Sequence, residues 1–199
     1  MSKLTVGSIE GLTVNSNVIS VPTGHSLNVA DAGGLQIGGS AVGLVHVSRT
    51  TIGTAVSSVT VSDAFSADYD NYQIMIGGGV ASTACSVNLT LDGLTSGYQY
   101  AYGYIGYSGG GQVDNQSASA AYWLSVGQGS TTEVTASVTL GYPFAAKRKT
   151  IKWGGGYSTV YLHGGGINSS TTSYTGFVIT LSTGTMTGGT IDVYGYAKA

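Results

Sequence analysis

Apolar residues recur at every second position along most of this chain, and only an extended backbone can bury such a pattern on one side. Tyr72, Ile74 and Ile76 alternate with Gln73 and Met75, and Val87, Leu89 and Leu91 with Asn88 and Thr90. Val134, Ala136, Val138 and Leu140 oppose Glu133, Thr135, Ser137 and Thr139. The same rhythm returns at Val59 and Val61, at Ile151 and Trp153, at Val160 and Leu162, at Phe177, Ile179 and Leu181, and at Ile191 and Val193. One further run sets Tyr122, Leu124 and Val126 on one face and Ala121, Trp123 and Ser125 on the other.

Glycine and β-branched residues interrupt nearly every window in which a helical stripe could form. The expectation is an all-β chain of about ten strands beyond residue 44, arranged as an antiparallel β-sandwich of jelly-roll type. The clusters at residues 77–79, 109–111, 154–156 and 164–166 are then expected in inter-strand loops, supplying positive φ angles and bulges.

The first forty residues follow another rule. Leu4-Thr5-Val6, Leu12-Thr13-Val14, Ile19-Ser20-Val21, Leu27-Asn28-Val29 and Leu35-Gln36-Ile37 are one unit repeated at steps of 8, 7, 8 and 8. Strands this short cannot bury an apolar side alone and become stable by stacking or by winding against identical chains. Residues 1–41 therefore read as an oligomeric stem, with a hinge near Gly38-Gly39-Ser40-Ala41, and residues 42–199 as the sandwich domain.

Only 8% of residues are charged, so Ser, Thr, Asn and Gly must supply much of the solvent contact. The formal charge of −2 argues against a general nucleic-acid binder, which needs a strong cationic field. No apolar stretch is long enough for a membrane helix, and no signal-peptide pattern opens the chain. Without such a signal, the sequons at Asn88, Asn115 and Asn168 are expected to be silent. Cys85 is the sole cysteine and reads as a small buried hydrophobe.

Several local patterns touch on chemistry. Gly106-Tyr107-Ser108-Gly109-Gly110 matches the nucleophile elbow G-x-S-x-G, but that motif works on a turn from a strand into a helix, and no helix is expected here. The glycine triplets lack the Lys-Ser/Thr and the strand-to-helix setting of phosphate loops. Asp63, Asp68 and Asp70 offer oxygen ligands for calcium, yet their spacing is not that of an EF-hand, and Asp equally favours turns. His25, His46 and His163 have no metal-ligand spacing. We expect no catalytic residue, metal or cofactor.

Two groups suggest recognition. Tyr98, Tyr100, Tyr102 and Tyr104 would share one face of an extended strand, with Tyr107 beyond; such a ladder serves ligand stacking, a subunit interface or the core. Lys147, Arg148, Lys149 and Lys152 hold four of the seven cations, either as an anion site or as charges that keep sheet edges from pairing. The ligand-binding candidates are Tyr100, Tyr102, Tyr104 and Tyr107, with Trp123, Lys147, Arg148 and Lys149.

Phe65-Ser66-Ala67-Asp68-Tyr69-Asp70-Asn71-Tyr72-Gln73-Ile74 and the closing Gly188-Gly189-Thr190-Ile191-Asp192-Val193-Tyr194-Gly195-Tyr196 resemble the β-sandwich domain at the ends of fibres of tailed bacteriophages. The run ending Val21-Pro22-Thr23-Gly24-His25 is similar to the strand-rich stems of those fibres. The resemblance implies a homotrimeric, non-enzymatic virion protein, either a short tail fibre or spike or a capsid-decorating head fibre. Its N-terminus would attach to other virion proteins through Leu4, Val6, Leu12 and Val14, whose apolar side chains need a partner surface. The sandwich would face outward toward host-cell polysaccharide. Neither nucleic acid nor membrane insertion is part of that expectation.

Overall fold

The computed structural model describes residues 43–109 and 112–198, together with Thr23 and the strands Gln36–Ile37 (β1) and Ser40–Ala41 (β2). The attachment candidates Leu4, Val6, Leu12 and Val14 lie outside the described residues, as does most of the repeat segment. β1 and β2 pair as a short antiparallel ladder, with Gln36 opposite Ala41.

Every other element among the described residues is also a strand, and every pairing there is antiparallel. In chain order they are Leu44–Thr51 (β3), Ser58–Val61 (β4), Asn71–Ala81 (β5), Cys85–Leu91 (β6), Tyr98–Gly106 (β7) and Val113–Ala120 (β8). They continue with Trp123–Gly129 (β9), Val134–Gly141 (β10), Lys149–Tyr157 (β11), Val160–Asn168 (β12), Phe177–Leu181 (β13), Met186–Thr187 (β14) and Thr190–Tyr196 (β15). These 13 strands form one hydrogen-bonded network rather than the expected ten or so.

The network branches at β10. One edge of β10 pairs with β5 along its length, while its other edge is shared. Val134–Ala136 pair with Gly129–Gly127 of β9, and Val138–Gly141 pair with Trp153–Thr150 of β11. A long arm therefore runs β3-β15-β5-β10-β11-β12-β7-β8, and a short arm runs from β10 through β9-β6-β13-β4. The short arm folds back over the long one. Leu89, Leu91, Phe177 and Ile179 of the short arm join Ile74, Val138, Leu140, Ile151 and Leu162 of the long arm in one apolar core. Phe65, on the connection between the arms, seals one end by stacking on Phe177 at 5.5 Å and meeting Tyr72 edge-on at 4.8 Å.

Two sequence expectations fail, one over the glycine triplets and one over the faces of β9. Three glycine triplets sit inside strands, in β5, β11 and β12, rather than in loops. A side chain on Gly164 would strike the Trp153 indole, and one on Gly166 would strike the Trp123 indole and the carbonyl of Gln99. These glycines are bearing surfaces. The face assignment in β9 also slips. Ser125 adopts φ 54°, and the ladder to β6 jumps between Val87 and Leu89, so the bulge turns Trp123 and Val126 both inward.

Candidate functional site

The tyrosines of β7 do share one face, but it is the face covered by β9. Tyr98 is fully buried, its ring edge-on to Trp123 at 4.8 Å. Tyr100 and Tyr102 are half-buried against the core, ring centres 6.0 Å apart, and burial raises the Tyr100 phenol above its ordinary value, helped by Tyr102 and Tyr122. Exposure grows only toward the end of the strand, to 39% at Tyr104 and 62% at Tyr107. Of the ladder, Tyr104 and Tyr107 alone offer substantial free ring surface.

Two of the remaining candidates are buried and must be corrected. Trp123 is fully covered and lies on Gly166, its indole N–H donating to the carbonyl of Ile167 at 3.3 Å. Lys149 is fully covered too, because its ammonium donates to the carbonyls of Ala145 and Lys147 and so ties down the β10–β11 connection. Burial lowers its pKa. Neither can touch a ligand without unfolding its surroundings.

Lys147 and Arg148 remain exposed, with Lys147 5.2 Å from the centre of the Tyr142 ring. They stand beside the end of the sheet where Lys149, Asn168 and Tyr98 align, whereas Tyr104 and Tyr107 stand toward the end where Tyr157, Val160 and Gly106 align. Eight residues of strand, about 26 Å, separate those ends. The cationic turn and the exposed tyrosines are therefore two places, not one site.

The opposite face of the same strands holds what the sequence reading passed over. Residues paired across a sheet share a face, so the register fixes three rows. Lys152, Gly165, Ala101 and Gln116 form the central row. Thr150, Ile167 and Gln99 flank it on one side, and Gly154, His163, Gly103 and Asp114 on the other. Gly165 and Ala101 contribute almost no side chain, which leaves an open trough between Lys152 and Gln116. Its two adjoining hollows, of 610 and 440 Å³, share Ala101, Gln116 and Gly165.

The trough is lined by hydrogen-bonding groups. Gln112 donates its side-chain amide to Asp114, and the His163 ring stacks on Tyr161 at 5.9 Å and 21°. The buried Nδ1 of His163 has no hydrogen-bond partner among the described residues. Beyond the His163 row, Ile105 and Tyr161 pair across β7 and β12 and are 40% and 45% exposed. The signal in the sequence was the complement of the tyrosine ladder: Gln99, Ala101 and Gly103 had to occupy the other face.

The remaining motifs are spent on structure. Ser108 lies in the turn after β7, and the next element is strand β8, so no strand-turn-helix elbow forms. Asp68 accepts from Ser66 Oγ at 2.9 Å, and Asp70 pairs with Lys198 at 3.1 Å. No three His, Cys, Asp or Glu side chains converge on a possible metal position among the described residues. Cys85 is buried, and burial raises its thiol pKa. His46 and Arg49 of β3 flank Asp192 of β15, with Arg49 Nε donating at 2.6 Å. No protein-family model, curated protein or solved structure matches the chain.

Proposed function

We propose that this chain is a non-enzymatic structural protein of a tailed-phage particle, a short homotrimeric fibre or spike held by its N-terminal stem. Its strand domain, read as a jelly-roll-like sandwich, adheres to polysaccharide on the host-cell surface. The observation that carries the adhesive role is the trough over Gly165 and Ala101, open, shallow and lined by amides, an imidazole and the Asp114 carboxylate. Sugars are bound by such arrangements, in which small residues admit a flat ring and amides both give and accept hydrogen bonds. The particle assignment rests on the fibre-like sequence motifs. The low charge and the continuous sheet suit a rigid surface exposed outside a cell.

The test uses the full chain. Light scattering should give three copies per particle of protein, and immunogold imaging of virions should place it on a projecting fibre. Purified protein should bind host cells without releasing reducing sugar ends or acyl groups. A monomer overturns the trimer, released products overturn the non-enzymatic role, and tight capsid binding with no affinity for cells makes it a capsid decoration instead.

A further inference from the structure

Resting on that adhesive reading, we infer that the trough seats a neutral hexopyranose chain, with Gly165 and Ala101 as its floor. Strands lie about 4.8 Å apart, so two adjacent positions without bulky side chains open a flat strip about 14 Å wide between the strands of Lys152 and Gln116. That strip is broad enough for a sugar ring to lie against backbone. Its edges carry complementary groups. Gln99 and Gln116 each present a donor and an acceptor, which is what a ring hydroxyl requires on both its proton and its lone pairs.

His163 lines the second hollow beside Gln112 and Asp114. Tyr161 stacked on its ring restricts the orientation of that wall. The charges decide the class of sugar. Asp114 is the charged residue that lines the two hollows among the described residues, while Lys152 stands outside them on the neighbouring strand. A uronate or sulfated chain crossing the strip would set its own negative charges against Asp114.

The experiment is titration calorimetry of the full chain with dextran, mannan and galactan as neutral chains and hyaluronan as the uronate-containing one. The wild-type protein should bind at least one neutral chain at least tenfold more tightly than hyaluronan. Ala101→Trp places a bulky group on the floor at an exposed position and should weaken that binding more than tenfold with an unchanged melting midpoint. Should the Trp variant melt early, Gln99→Ala combined with Gln116→Ala provides the same test without added bulk. His163→Ala should weaken binding, and Tyr107→Ala should not.

Preferential binding of hyaluronan overturns the neutral class. Neutral-chain binding that survives loss of the trough residues but disappears in Tyr104→Ala with Tyr107→Ala overturns the site and leaves the adhesive reading standing. Failure of all four chains to bind, when whole host cells are bound, overturns this ligand assignment alone. Failure with cells as well overturns both.

Discussion

Removing a single oxygen from Tyr98 should destabilise this protein far more than its size suggests. The hydroxyl accepts the backbone N–H of Leu91 at 2.8 Å and donates to the carbonyl of Leu94 at 3.3 Å. It thereby fastens the turn between β6 and β7 from inside the core. Tyr98→Phe keeps the ring and its edge-on contact with Trp123, so hardly any packing is lost. What it leaves is a buried N–H with no partner, which costs about 1–3 kcal/mol. For a domain of this size each kcal/mol moves the melting midpoint by about 2–4 °C. Urea denaturation at neutral pH and a thermal scan should show that loss without a change in m-value.

Tyr72→Phe is the internal comparison. Its hydroxyl makes a similar pair of bonds to Ser66, at 2.8 and 3.1 Å, but Ser66 is half-exposed and water can replace them, so the cost should be smaller. The same hydroxyl of Tyr98 also sets an alkaline limit. Burial raises its pKa far above the ordinary 10.0, so its contribution is intact below pH 10 and is lost as pH rises above that value. Tyr98→Phe should flatten the alkaline fall in stability. A loss under about 0.5 kcal/mol together with an unchanged alkaline limb would refute the reasoning, because surface substitutions already span that range.

Two further outcomes follow from the sheet. Gly166→Ala should cost about 1–3 kcal/mol by thermal melt, since its methyl group meets the Gln99 carbonyl and the Trp123 indole, whereas Gly155→Ala in β11 meets nothing and should be neutral or slightly stabilising. On the acid side, Arg49 holds the Asp192 carboxyl below its ordinary 3.8, with Thr190 and His46 assisting. That contribution is present above pH 3.8 and is lost as pH falls below it, so Arg49→Met should weaken the protein at neutral pH and flatten its acid limb.

Much of the fold was legible because one-sided burial writes a period of two into a strand. The runs through Ile74, Leu89, Val138 and Ile179 are buried where that period places them. The period fails where the backbone departs from regular pleating, as at Ser125, whose bulge brings Trp123 into the core. Glycine carries no face preference at all. A triplet reads equally as a turn or as a strand on which an indole rests, and only the partner's position decides between them.

The candidate site divides along the same line. Alternation by itself determined that Tyr98, Tyr100, Tyr102 and Tyr104 lie together and that Gln99, Ala101 and Gly103 lie opposite. It could not say which face is covered, because that depends on β9, a strand brought over β7 and β12 by pairings made elsewhere in the network. Likewise Lys147 to Lys149 were visible as a charged turn, but the inward course of Lys149 depends on carbonyls that the closed turn presents. The trough required the register of four strands, β11, β12, β7 and β8, which align Lys152, Gly165, Ala101 and Gln116 from distant parts of the chain. Local sequence sets which residues can share a face, and non-local strand pairing sets what that face meets.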